Sequence, residues 1–370
     1  MEHNALWSSL RARLAGWKPP HRLFAGTPTI GFDLASERLN LAQLGHRGKA
    51  SGWHAVASVP YPQARTALLQ DVAGFRSFVR DALRQHGFRG RRVVSVLPPG
   101  DLQVISMDYT TPNGQDDTAI LLRTLKERFK GGLEDSVVDI LPIRRPPESN
   151  LRSAVVAVAP RERVLAHLNL LQSAGLAPQA IDIGPAALAR VARAVVVDPP
   201  RANLLLLNFG TRKSYMTLLW GRRLMFDRQA DFGEQSLADT LARNLDLSPE
   251  RALALLRKHG LQSHGDEVGA TISELLQPDF QHLAHEVNRV LIYFASQTHG
   301  GSVESIYICG SIARHPGAAE FMGRLLTMPV QVLNPWRMPD SPSTAIAEPP
   351  AGMAVAAGLA LRSAPRHVGN

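Results

Sequence analysis

The feature that most limits the fold is an order of elements that occurs twice. Hydrophobic patterning predicts a strand at 29–33, a tight turn at 34–37, strands at 38–44 and 54–59, and a helix over 71–86. The order restarts near residue 203. A strand at 203–209 leads into a turn at 210–213, strands at 214–220 and 222–228, and helices at 234–244, 249–259 and 280–299. Each half then adds a buried-type strand, at 92–97 in the first and at 305–309 in the second, where a helix through 326, a strand at 330–333 and a helix at 353–361 follow. No repeat of residues accompanies this repeat of elements. Two such α/β lobes facing one another place two hairpin turns across a shared cleft, and a cleft between lobes is where a ligand normally binds.

Between the halves lies a segment with its own logic. Strands at 102–109, 137–142, 153–159 and 179–183 alternate with helices at 116–130 and 161–174, and the turn RRPPESN at 144–150 joins the middle strands. This βαββαβ order predicts a ferredoxin-like subdomain. The expected organisation is therefore an amphipathic helix and Pro-rich linker (1–27), a first lobe (28–99), the insert (100–184), a second lobe with a helical subdomain (185–350), and a C-terminal helix returning to the first lobe with a short tail (351–370). The length of 370 residues is accounted for by two lobes and one insert.

Charge narrows the partners. Lysine and arginine number 41 against 32 acids, a formal net charge of +9. That excess invites a nucleic acid or an anionic membrane surface. The positives are dispersed, and the longest basic cluster is Arg89-Gly90-Arg91-Arg92, so no nucleic-acid partner is expected. Residues 5–17, ALWSSLRARLAGW, instead put Leu6, Leu10, Leu14 and Trp17 on one helical stripe with Arg11 and Arg13 off it, a pattern suited to an anionic membrane surface. The start carries charges within its weak apolar stretch and does not read as a secretory signal. No apolar run reaches the roughly 18 residues a membrane-spanning helix needs. The single cysteine, Cys309, excludes an internal disulfide and is expected in the core.

Three short motifs sit at equivalent places in the two halves: Ile30-Gly31-Phe32-Asp33-Leu34-Ala35-Ser36, Leu207-Asn208-Phe209-Gly210-Thr211, and Tyr307-Ile308-Cys309-Gly310-Ser311 followed by His315-Pro316-Gly317. Alone, each is turn chemistry. Together, glycine-bearing hairpins can bring backbone N–H groups to an anion, and a hairpin carboxylate can hold Mg²⁺ through water.

With these motifs in these places the chain resembles the actin-like ATPase superfamily, and more narrowly the PilM family of type IV pilus assembly with its MshI-like relatives. GFDLASERLNLAQL is similar to that family's first phosphate hairpin. VVAVAPRERVLAHLNLLQSAGLAPQAIDIGPAAL is similar to its insert and first connecting helix, and VESIYICGSIARHPGAAEFMGRLL, VQVLNPW and GMAVAAGLALR to its closing lobe. The resemblance implies a two-lobed fold of duplicated RNase H-like lobes with the inserted subdomain. It implies an ATP–Mg²⁺ site at Gly31, Asp33, Ala35, Ser36, Asn208, Gly210, Thr211, Lys213, Gly310 and Ser311, with Asp33 as the metal carboxylate. Three departures weaken that site. Asn208 stands where an acid is usual, Arg212 and Lys213 where small residues are usual, either to contact phosphates electrostatically or to fill the pocket, and Ser311 where a second glycine is usual. Weak or degenerate ATP binding is therefore expected, at most slow hydrolysis, and no catalytic residue is assigned. The resemblance further implies a cytoplasmic scaffold, peripheral at the inner membrane, in a type IV or MSHA-type pilus system. It would bind the N-terminal cytoplasmic segment of a PilN-like inner-membrane protein in a groove between the first lobe and the insert. The alternatives are a sugar kinase or phosphotransferase of the same superfamily, which Asn208 disfavours, and an FtsA-like division adaptor, which the short polar tail SAPRHVGN disfavours. His282 and His285 with Glu286 read as a solvated helix face, and Asp182 and Gly184 as a structural connection between lobes.

Overall fold

The computed structural model describes residues 28–47, 50–110, 117–128, 133–143, 151–196, 199, 201–262, 266–338, 346 and 350–363. The amphipathic stretch at 5–17, the 144–150 turn and the C-terminal tail lie outside the described residues.

The chain opens with β1 (Ile30–Leu34), β2 (Arg38–Arg47), β3 (Ala50–Pro60), α1 (Arg65–Gln70), α2 (Val72–Gln85) and β4 (Arg92–Val96). There follow β5 (Gln103–Thr110), α3 (Asp117–Arg128), β6 (Ser136–Ile143) and β7 (Leu151–Pro160), then α4 (Arg161–Ser173), β8 (Ala177–Asp182) and α5 (Gly184–Val195). The second half contains β9 (Leu204–Phe209), β10 (Ser214–Trp220), β11 (Arg223–Ala230), α6 (Glu234–Leu245), α7 (Pro249–His259), α8 (Glu267–Gln297), β12 (Ser305–Gly310), α9 (Ala318–Leu326), β13 (Val330–Val332) and α10 (Ala354–Ala360).

The duplication is visible in the sheets. One runs β3-β2-β1-β4-β8 and the other β11-β10-β9-β12-β13. In both, the first three strands form antiparallel hairpins, and the first strand then pairs in parallel with the fourth. The central strands are apolar and buried because helices cover both faces, as in Leu204–Leu207. Local signals set the helices. Asp71 caps α2 by accepting from the Gly74 amide at 2.9 Å, and Phe75, Val79 and Ala82 bury its inner face.

Two elements differ from expectation. The strand expected to close the insert is β8, and it pairs in parallel with β4 in the first lobe. Among the described residues the insert's own sheet has three strands, in the order β5-β7-β6. Helix α4 goes with β8: Leu171 joins Phe75 and Val79 in the first-lobe core, while Val164 and Leu168 pack on Leu97 and Ala159. Apolar faces on two sides let α4 serve as the crossover between parallel strands, and strand order alone does not say which sheet a strand joins. The expected insert at 100–184 thus includes a helix and a strand that the first lobe claims. The second difference is α8, which begins at Glu267 rather than near 280 and runs through Pro278. Asp266 caps it, accepting from the Val268 and Gly269 amides at 3.1 Å each. A continuous buried stripe of Ile272, Leu276, Phe280, Leu283 and Val287 offsets the hydrogen bond that proline removes.

The lobes share a core. Ala42, Leu44 and Trp53 of the first sheet, Leu188 and Val191 of α5, Leu204 and Leu206 of β9, and Ala356 and Ala357 of α10 form one buried cluster. Asp182 anchors this junction by ion pairs to Arg190 and to Arg362, the latter at 2.8 Å. No helix among the described residues is long and apolar enough to cross a membrane.

Candidate functional site: an interlobe cleft

The two hairpins do face one cleft, with a volume of about 540 Å³. From the first lobe it is lined by Asp33, Ala35 and Ser36, and from the second by Asn208, Gly210, Thr211, Gly310 and Ser311. Gly184 and Pro185 at the start of α5, Gly352 before α10, and Gln103, Val104 and Ile105 of β5 also line it.

Asp33 is fixed by a relay across the first sheet. Asn40 Nδ2 donates to Asp33 Oδ2 at 3.2 Å, Ser58 Oγ donates to Asn40 Oδ1 at 2.7 Å, and Arg38 Nε donates to Ser58 Oγ at 2.8 Å. Burial pushes the Asp33 carboxyl up to about 6, against the Asn40 hydrogen bond and the nearby charge of Arg65. At pH 7.5 it is still mostly ionised.

In the second lobe the hairpin turn docks on α6. The Gly210 amide donates to Lys213 O at 3.1 Å, and the Gln235 amide donates to Thr211 O at 2.8 Å. Ser311 is turned inward: its hydroxyl donates to Phe209 O at 3.2 Å and Gly210 O at 3.0 Å, tying the turn after β12 to the second hairpin. The neighbouring Gly310 has φ +87°, and a Cβ there would collide with the Phe209 carbonyl. Only glycine keeps that backbone flush with the cleft wall.

Two expected site residues are elsewhere. Gly31 is buried under α10, where a Cβ would overlap the Ala356 carbonyl oxygen and come within 2.7 Å of the Ala360 amide nitrogen. It is a packing glycine. Lys213 does not line the cleft; its ammonium lies 3.7 Å from Asp231 on the exposed side of the hairpin. The two residues lie away from the cleft for different reasons: Gly31 sits two residues further into the sheet than Asp33, under α10, and Lys213 lies past the turn beside Asp231. Arg212 is likewise exposed and absent from the cleft wall.

The structure adds residues that the motifs did not mark. Asp227 on β11 is buried beside the cleft and accepts from Thr217 Oγ1 at 2.6 Å. Burial pushes its carboxyl up to about 7, against that hydrogen bond. The period of two in RLMFDRQA, with Met225 and Asp227 both inward, was the signal for it. Glu234, at the first turn of α6, is 2% exposed. Burial would raise its carboxyl, but His315 and Arg257 outweigh this and hold it at about 2. His315 Nε2 lies 3.0 Å from Glu234 Oε1 without a well-aligned hydrogen bond. Arg257 also reaches across the cleft mouth to Glu37 in the first hairpin turn, at 2.9 Å. That bridge is exposed at both ends, so it contributes at most about 1 kcal/mol and can open readily.

Cys309 is in the core, its thiol pushed up to about 12 by burial. His282 and His285 are exposed on α8. Among the described residues no group of three or more His, Cys, Asp or Glu could hold a metal ion.

A family model described as "Type IV pilus assembly protein PilM" matches residues 31–364. The chain belongs to the PilM family. Among solved structures, it is similar to a "PilM-PilN type IV pilus biogenesis complex", with TM-score 0.74 and 23% identity over 91% of this chain and 98% of that one. It is also similar to ethanolamine utilization protein EutJ from Carboxydothermus hydrogenoformans, with TM-score 0.52 and 15% identity over 92% and 91% of the two chains. These likenesses agree with the sheet orders, and the fold is the two-lobed actin-like one. Within the PilM family match lie both hairpins, the insert and α10.

Proposed function

We propose that this PilM-family chain is a cytoplasmic scaffold of type IV pilus assembly that docks the N-terminal cytoplasmic segment of a PilN-like inner-membrane protein. The observation that carries the reading is the family match across residues 31–364, which covers both lobes and the insert without a gap in architecture. Docking would hold the chain at the inner membrane, and the amphipathic pattern at 5–17 would add contact with anionic lipid. The groove between the first lobe and the insert suits an extended segment. β8 is an outer strand of the first sheet and β6 an outer strand of the insert, and outer strands offer backbone groups to a partner.

The cleft serves in this proposal as a nucleotide site. Its residues fit an ATP polyphosphate in three respects: two hairpin backbones converge on it, the Gly310 turn leaves the backbone bare, and Asp33 offers one carboxylate. Mg²⁺ carried by phosphates needs only one or two protein carboxylates. When bound, Mg²⁺ would neutralise phosphate charge; Asp33 would hold its waters, and Asn208 would contribute no second charge. Slow turnover at most is the corresponding expectation. Nucleotide then acts as a conformational ligand, effective to the extent that it favours one lobe arrangement over another. The exposed Arg257–Glu37 bridge is a contact that such a change would make or break.

The docking half is tested by immobilising the partner's N-terminal cytoplasmic peptide and passing the purified chain over it. Retention that a scrambled peptide does not reproduce is expected. Equal recovery from both columns would remove the docking proposal.

A further inference from the structure

The cleft contains a cation that the motifs did not mark. Arg65 begins α1, a short helix absent from the sequence expectation, and its side chain lines the cleft beside Asp33. Its Nε is enclosed by the protein and has no hydrogen-bond partner. A buried donor left without an acceptor is costly, and natural structures rarely keep one without a reason.

The other cations near the cleft are already engaged. Arg38 Nε is spent on Ser58 at 2.8 Å. Arg257 is shared between Glu234 at 2.8 Å and Glu37 at 2.9 Å. Lys213 faces Asp231 outside the cleft. Arg314 lines the cleft from the second lobe and turns its Nε toward Ser311 O at 3.5 Å. The Arg65 guanidinium lies beside Tyr61 and Asp33, yet its Nε keeps an open donor on the first-hairpin side of the cleft, next to the carboxylate that would repel an anion.

We propose that Arg65 is an anion-binding residue of the cleft, contacting the phosphate chain of a nucleoside di- or triphosphate. This rests on the nucleotide reading of the cleft and names the residue that supplies its positive charge. The charge comes from the first lobe, in place of the second-hairpin Lys213. A guanidinium forms strong, directional charge-assisted bonds to phosphate oxygens, and here it also offsets the Asp33 charge.

The test is calorimetry on the full chain with ATP, inorganic tripolyphosphate and adenosine, for wild type, Arg65→Ala and Arg65→Lys. Arg65→Gln, which keeps length and a donor while removing the charge, replaces the alanine variant if that one fails to fold. ATP and tripolyphosphate are expected to weaken about tenfold or more in Arg65→Ala, with partial recovery in Arg65→Lys and no change for adenosine. ATP affinity within twofold of wild type in the alanine or glutamine variant overturns the Arg65 assignment and leaves the nucleotide reading standing. Arg65-dependent binding of tripolyphosphate, with ATP no tighter, supports the anion site and removes the nucleotide reading. A wild-type chain that binds neither overturns both.

Discussion

Gly31→Ala is expected to destabilise the chain by about 3 kcal/mol or more, the upper range for overpacking a buried site. The added methyl would overlap the Ala356 carbonyl and crowd the Ala360 amide, both backbone atoms of α10. Backbone cannot swing aside as a flexible side chain can. Relief requires lifting α10 from β1, and α10 is also tight on its other side: a Cβ at Gly358 would overlap the Ala187 carbonyl of α5. The small-residue sequence AVAAGLA exists to permit this double approach. Urea denaturation followed by circular dichroism reads the change. A loss below 1 kcal/mol would show that Gly31 is not the packing contact described here.

The second large effect is expected at Asp227, and it depends on pH. Its carboxyl is raised from 3.8 to about 7 in the folded chain. A raised folded-state value means that the folded chain holds its proton more tightly than the unfolded one. The associated stability is fully present below the unfolded value and is lost as pH rises through the folded value. Ionising buried Asp227 thus costs stability between about pH 4 and pH 7, with a ceiling of about 4 kcal/mol from roughly three pH units at 1.36 kcal/mol each. Asp227→Asn removes that ionisation and keeps an acceptor for Thr217 Oγ1. The variant is expected to gain stability over wild type at pH 8 and to lose the advantage by pH 5. Denaturation midpoints across that range decide it. A difference that is constant with pH would show that Asp227 does not titrate as its burial implies.

The duplicated order of elements was legible because long apolar strands and capped helices announce themselves locally. Strand β10 and helix α7 have the expected bounds, and most others fall within a few residues. What local pattern does not carry is which surface an element finds. β8 followed the insert's strands in sequence and joined the first lobe, because α4 could bury apolar faces on two sides. Helix α8 starts well before the expected 280 and runs through Pro278, because a buried apolar stripe spans the proline. The cleft was legible in outline for the same reason as the strands: hairpin turns at equivalent ends of duplicated sheets must face one another. The roles inside it were less so. Gly31 carries the signature of a phosphate glycine and acts in packing, because α10 covers β1 at that point while Asp33, two residues further on the same face, reaches the cleft. Lys213 was expected to contact phosphates or fill the pocket, and the turn aims it outward to Asp231 instead. Asp227 and Arg65 come from outside the motifs, on elements that only the three-dimensional fold brings to the cleft.

In the proposed nucleotide site both hairpins meet one metal held by a single carboxylate, Asp33. Calorimetry with ATP and Mg²⁺, on wild type and Asp33→Ala, tests it most directly. Saturable binding by wild type is expected, with a loss of about tenfold or more in the variant, at least about 1.4 kcal/mol. Without Mg²⁺ the difference is expected to shrink. Removing a buried carboxyl already raised to about 6 should not unfold the chain, so lost binding can be read as a lost contact. Equal affinity in the two proteins, or no binding by wild type, would rule out an Asp33-dependent nucleotide site.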